Sequence, residues 1–288
     1  MSIKALVVGG TSGIGYGLAC RVAAEAPSSS VIISGRNKPP NIPHPNMQFL
    51  RLDASSMREI KKYTDSFKAS HADQKLDFLI MTQGVISLDG RTETTEGIDR
   101  NMALYYYGKQ LLIRELLPVL KEDAKVIIVL NAKAGHPDKL NWNDLDLKKT
   151  FSLMGAASHC FTMTDGMIQQ FAHQQQQAGN ARRHFIHVYP GFVSTNISSS
   201  LPWYLRGPST VLMRTVGVSP DTCAAYLLKG ASEATAAAEK KVKFWNNIDQ
   251  KGHEVAGKAV WTEDQRKKVE DHTWNIIDQA LKVTARRA

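Results

Sequence analysis

No apolar run in the 288 residues approaches the roughly 18 needed to cross a bilayer, so no helical membrane span is expected. No charged-then-apolar leader precedes the first apolar run at Ile3, and the end, Ala285-Arg286-Arg287-Ala288, resembles no retention or peroxisomal address. Cysteine is scarce. Cys20, Cys160 and Cys223 are far apart, odd in number and without metal-ligand spacing, which argues against a disulfide framework or a thiolate metal site. Reduced, buried thiols imply a cytoplasmic protein. There is also no long block of one charge. The net charge of +9 is dispersed in short groups such as Lys240-Lys241-Val242-Lys243 and Arg266-Lys267-Lys268, so no nucleic-acid partner is expected. No internal repeat is present, and the glutamine tract 174–177 is too short for a low-complexity domain. One local absence matters more: no tyrosine occurs between Tyr107 and Tyr189.

What is present begins at residue 6. Leu6-Val7-Val8-Gly9-Gly10-Thr11-Ser12-Gly13-Ile14-Gly15 is a short apolar run ending in interleaved glycines, followed by a helix-forming stretch from Tyr16 to Ala24. It reads as buried strand, tight turn and helix. Glycines allow the sharp turn and the close approach of a pyrophosphate, and the helix start offers unpaired N–H groups and a positive dipole end. A tight turn that binds nothing is the alternative. With 43% hydrophobic and 22% charged residues, the chain can bury one sizeable core, and a single domain over 1–288 is expected.

Val31 to Arg36 is a second strand, and about 20 residues after the glycines an NAD site would place an acidic residue for the ribose hydroxyl. Here Arg36 stands, with Asn37 and Lys38 behind it, which favours the 2′-phosphate of NADP(H). Residues 39–45 carry four prolines and form a loop. Strand three, Met47 to Asp53, ends in a carboxylate ahead of the capping residues Ser55 and Ser56. A helix over about 56–70 leads to strand four, Leu76 to Thr82, and then to Gln83-Gly84. Glu96–Leu120 has helical periodicity; Lys125 to Leu130 is strand five, and His184 to Thr195 is strand six with its loop. Alternating strands and helices specify a doubly wound parallel sheet, with a ligand at the strands' carboxyl ends.

The spacing Gly9-x-x-x-Gly13-x-Gly15 resembles the short-chain dehydrogenase/reductase superfamily. So do Thr82-Gln83-Gly84, a partial match to Asn-Asn-Ala-Gly, and Pro190-Gly191-Phe192-Val193-Ser194-Thr195, a match to Pro-Gly-x-Val-x-Thr. The resemblance covers roughly residues 3–200. It implies cofactor contacts from Gly9, Thr11, Ser12, Gly13, Ile14, Gly15, Arg36, Asn37, Asp53 (adenine), Gln83, Gly84, Pro190, Gly191, Val193 and Thr195 (nicotinamide). Asn101 matches the active-site Asn that helps to hold a water.

The catalytic pattern breaks. Family members supply a proton to the nascent alkoxide from a Tyr, with a Lys lowering the phenol pKa and a Ser positioning the oxygen. Asn131-Ala132-Lys133-Ala134-Gly135 places Ala132 at the Ser, and the ungapped register places Ala157 at the Tyr and Phe161 at the Lys. Two readings follow. One is a cofactor-binding pseudoenzyme or redox-neutral cyclase. The other is a reductase whose substrate needs no acid, such as an iminium, where an anion would steady the cationic group. Asp165, one helical turn beyond Phe161, is the candidate anion, and Lys133 a candidate anchor for a substrate carbonyl or partner for Asp165. A carboxylate in this apolar setting needs a partner. With Phe161-Thr162-Met163-Thr164-Asp165, the pattern resembles short-chain reductase homologues of fungal specialised metabolism and the reductase/Diels–Alderases of indole alkaloid pathways. The substrate is expected to be bulky and apolar, under a lid at 196–220 that includes Trp203 and Tyr204. Helices over 96–120 and 155–175, the usual dimer faces of the superfamily, imply a homodimer or homotetramer.

Overall fold

In a computed structural model the described residues are 2–25, 27–71, 74–85, 88–179, 182–195 and 217–283. Seven strands form one parallel sheet: β1 (Lys4–Val8), β2 (Ser30–Gly35), β3 (Met47–Arg51), β4 (Leu76–Met81), β5 (Leu120–Val129), β6 (His184–Val188) and β7 (Trp245–Ile248). Their order is β3-β2-β1-β4-β5-β6-β7. The chain winds outward from β1 in one direction and returns to wind from β4 in the other. The crevice at β1 and β4 is therefore the topological switch point. The single-domain, doubly wound sheet expected from the alternation of apolar runs is what the chain adopts.

Apart from the edge strand β3 and the first residues of β5, the strands are largely buried on both faces, so their residues alternate between two apolar layers. Leu6, Val8, Leu79, Met81, Val126, Ile128 and Phe185 face one layer, and Ala5, Val7, Ile80, Ile127, Val129, Ile186 and Val188 face the other. The second layer is closed by α1 (Gly13–Glu25) and α6 (Pro220–Lys241). The first holds α2 (Met57–Ser70), α3 (Arg100–Met102), α4 (Gly108–Leu116), α5 (Leu153–Ala178) and α7 (Glu263–Lys282). Side-chain caps begin these helices where local sequence dictates: Ser56 for α2, Ser152 for α5, Ser219 before Pro220 for α6, and a Thr262/Gln265 capping box for α7.

The helix expected over 96–120 is interrupted. Ala103–Tyr107 forms a π-helical turn between α3 and α4, Leu117–Val119 is a 3₁₀ turn at Pro118, and β5 already begins at Leu120. The helix faces assigned to a homo-oligomer contact also have neighbours within the chain. The chain's own α7 packs along α5 and reaches α4 and the π turn through side chains. From α5, Gln170 and Gln174 donate to Glu270 at 2.7 and 2.6 Å. From α4, Arg114 pairs with Asp278 at 3.1 Å and lies 4.6 Å over the Trp274 ring. From the π turn, the Tyr106 and Tyr107 hydroxyls meet Thr273 and His272 at 2.6 and 2.9 Å. The expected lid over 196–220, with Trp203 and Tyr204, lies outside the described residues up to 216. Among the described residues no helix is long and apolar enough to cross a membrane, and no cluster of three or more metal-ligating side chains occurs.

Candidate cofactor and active site

A cavity of about 370 Å³ opens at the carboxyl ends of β1, β2 and β4. Of the expected cofactor residues, Gly9, Thr11, Ser12, Gly13, Ile14, Gly15, Arg36, Asp53, Gln83, Gly84 and Thr195 line it; Asn37, Pro190, Gly191 and Val193 do not. The glycine turn has the geometry that its composition demands. Gly9 has φ +83° and Gly13 φ +54°, where a side chain would be strained. A Cβ on Gly15 would meet Gly9 O and the Thr82 hydroxyl, so α1 could not pack so close to β1 and β4.

At the far end, Arg36 and Arg100 flank Asp53. Asp53 Oδ1 accepts from the Ser55 N–H at 3.0 Å and the Ser55 hydroxyl at 2.6 Å. Burial pushes its carboxyl pKa up, but these bonds and the two guanidinium groups outweigh burial and leave it below the ordinary value. On the facing wall Gln83 is buried, and neither atom of its amide has a partner. A buried amide left open on a cavity wall fits a polar ligand. The glycine turn at a helix start, two guanidinium groups and this amide fit a dinucleotide phosphate and ribose. Arg100 was not foreseen, because nothing in the sequence sets an arginine at a helix start apart.

The residues expected to act on substrate lie elsewhere. Asn101 is buried in α3. Ala132 is fully buried, while Ala157 and Phe161 are half-buried on α5. No residue in those three positions carries an acidic proton. Lys133 is exposed, with its ammonium 5.5 Å over the Tyr189 ring at the end of β6.

Asp165 differs from its expected setting. Its side chain is 1% exposed, and it is held by residues far away in the chain. Oδ1 accepts from His187 Nδ1 at 2.7 Å and from Asn247 Nδ2 at 2.6 Å, and Oδ2 pairs with the Lys258 ammonium. Burial alone would raise its pKa; His187 and Lys258 instead hold it below the ordinary carboxylate value. The pairing with Lys133 is thus replaced by one with Lys258, and both carboxylate oxygens are already engaged, so the geometry offers no open anion to a cationic substrate. The network has another consequence. Asn247 Nδ2 also donates to Ala132 O at 3.3 Å, and Lys258 Nζ to Gly135 O at 2.7 Å. Asp165 thereby anchors two of the side-chain donors that hold loop 131–135, which carries Lys133; a third, Lys139, donates to Ala134 O at 2.7 Å. His187, Asn247 and Lys258 were missed because each is an ordinary polar residue on its own segment.

A glycine-rich turn at the switch point of a parallel sheet defines an α/β protein of the doubly wound, Rossmann-like fold. A family model for short chain dehydrogenases matches residues 4–142. Oxidoreductase AN1596 of Emericella nidulans is 38% identical over 212 residues, 70% of this chain and 62% of that protein. Oxidoreductase andH of Emericella variicolor is 28% identical over 246 residues, 78% of this chain and 71% of that one. The chain thus spans less than two thirds of the length of the first. Among solved structures, an NADPH-bound carbonyl reductase from chicken fatty liver superposes with a TM-score of 0.61 at 17% identity, over 89% of this chain and 100% of that one. Residues 4–142 thus resemble the short chain dehydrogenases, and the chain is similar to fungal oxidoreductases over about 70–78% of its length.

Proposed function

We infer that the chain binds NADP(H) in the β1/β4 cavity and reduces a bulky, apolar substrate through a C=N or conjugated double bond, as a fungal oxidoreductase of secondary metabolism. The observation that carries this reading is a cavity fit for a dinucleotide beside a β5/α5 site with no proton donor at Ala132, Ala157 or Phe161. The oxidoreductase names of the fungal homologues and the NADPH of the structural neighbour support it. The cofactor, when bound, supplies a hydride. The glycine turn and the start of α1 hold its pyrophosphate, Arg36 the 2′-phosphate, Asp53 the adenine side, and Gln83 offers its amide to the ribose. Hydride addition to an iminium yields a neutral amine, which explains why no acid is kept. Lys133 anchors a carbonyl of the substrate and Asn101 orders water. Asp165 serves by positioning the loop that carries Lys133. A cyclisation of Diels–Alder type coupled to the reduction belongs to the same proposal, as do a small-molecule partner only and a cytoplasmic location.

The test is NADPH consumption by the purified protein with a cyclic iminium, a ketone and an enone. Oxidation with the iminium only is expected, because hydride on the ketone or the enone leaves an alkoxide or enolate that needs a proton. Tight NADPH binding with no oxidation across the panel would favour a redox-neutral cyclase or a pseudoenzyme, which the missing acids also allow. For the cofactor itself, Arg36→Ala should weaken NADPH by about tenfold or more while NADH changes little, since one charge-assisted phosphate contact contributes about 1.5–3 kcal/mol; equal losses, read by fluorescence titration, would remove the 2′-phosphate role.

A further inference from the structure

Lys109 is used by nothing described above, yet it is fully buried at the first position after Gly108 in α4. Its ammonium donates to Gln83 O at 2.7 Å and to Leu104 O at 3.2 Å, and lies 5.8 Å from the centre of the Tyr105 ring. Among the described residues no carboxylate pairs with it. Both acceptor residues, Gln83 and Leu104, line the dinucleotide cavity. The π turn is what makes the second bond available. The Gly108 N–H reaches back five residues to Ala103 O instead of four to Leu104 O, and Lys109 takes the carbonyl so released. Tyr105 braces the same wall from behind: its hydroxyl donates to Val85 O, and its ring sits where a Cβ on Gly84 would be. A cation kept in the apolar layer without a counter-charge is costly to the apoprotein. It becomes favourable when an anion occupies the other side of a thin, water-free wall, where charges interact strongly.

We propose that Lys109 is an electrostatic residue of the dinucleotide site, stabilising the bound anionic cofactor from beneath the Gln83–Val85 wall without touching it. This rests on the reading that NADPH binds in this cavity. Burial brings the Lys109 pKa down to about 7. The other titratable groups about it are neutral or occupied. Tyr105, from the π turn, is pushed up to about 12 by burial, and Cys160, from α5, is raised further. Asp99, ahead of α3, has its oxygens on the Thr92 and Met102 N–H groups. An anion in the cavity favours the protonated ammonium, so binding takes up a proton and tightens as pH falls toward 7.

The experiment is NADPH titration, by fluorescence, of the wild type and of Lys109→Met and Lys109→Gln at about pH 6.5 and about pH 9, with apoprotein thermal melts alongside. If the bound anion raises the Lys109 pKa by about one unit, the variants bind about tenfold more weakly than wild type at the lower pH and about equally at the higher one. The Met variant should melt no lower than wild type, which a merely structural lysine would not allow. Variants that bind as wild type does at both values, or that lose the same factor at both, overturn the proposal. Should neither variant fold, calorimetric titration of the wild type at about pH 7.5 in two buffers of different ionisation heat decides: net proton uptake supports the role, and none overturns it. A wild type without NADPH affinity at either pH would remove the cofactor reading and this inference with it, whereas tight, pH-independent binding removes this inference alone.

Discussion

Asp165 shows how far one residue's role depends on its partners. A carboxylate on an apolar helix face must be neutralised or paired, and here two cationic or donor side chains and an amide do so. Replacing it with asparagine keeps the shape and removes the charge, leaving the 9%-exposed Lys258 ammonium without its counter-ion. Breaking a buried pair from one side costs about 3–5 kcal/mol. Asp165→Asn is therefore expected to lower stability in urea melts by that order, with Lys258→Met in the same chain restoring part of the loss; strictly additive losses would show that the two side chains do not interact. The sign with pH follows from the lowered pKa. The stabilisation is present above the ordinary carboxylate range near 4 and is lost as pH falls below it. The need for a partner was readable from the sequence, as was Arg36 in place of an acid. The identity of the partner was not, because His187 is 22 residues away and Asn247 82.

At the scale of elements, the first four strands and the glycine turn follow from patterns contained within ten or fifteen residues and stand where those patterns put them, whereas β5 begins five residues earlier than its apolar run, at Leu120. The helix over 96–120 does not, because its periodicity is compatible with both α and π geometry and only the contacts of Lys109 and the tyrosines select between them. Glu96, ahead of that helix, illustrates a contact between elements that no local pattern announces. Its carboxylate accepts from the N–H groups of Met57 and Arg58 at 2.7 and 3.1 Å and from the Ser56 hydroxyl at 2.7 Å, and so caps α2 from 40 residues away. Its negative charge also suits the positive end of the helix. Glu96→Ala should destabilise the protein by about 1–3 kcal/mol, the cost of stranding buried donors. Hydrogen exchange should speed up first at the amides of Met57 and Arg58; unchanged exchange there would mean that Ser56 alone caps the helix.

For the whole molecule, α7 decides what the surface is. Through Glu270, Thr273, Trp274 and Asp278 it packs along α5 and reaches α4 and the π turn, the elements through which the superfamily resemblance implied a dimer. A dimer through those helices would have to displace α7 and its buried Val269 and Ile277. The chain is accordingly expected to sediment as a 31.9 kDa monomer. A dimer mass that persists after substitutions on the outer faces of α4 and α5 would place the contact elsewhere. The same helix ties the π turn, and with it the wall of the cofactor cavity, to the C-terminal part of the fold.

The sequence by itself determined the doubly wound sheet, the glycine turn between β1 and α1, and the presence of Arg36 just past β2 on the cavity wall. Each of these depends on residue type and spacing within one segment, where backbone sterics and hydrophobic alternation are decisive. Only the tertiary structure decided that Asp165 is enclosed by His187, Asn247 and Lys258, that Lys109 lies beneath the cavity wall, and that α7 packs on α5 and the π turn. Those outcomes depend on charges and donors brought together from distant segments, and on a burial cost that exists only once the apolar layers have closed around them.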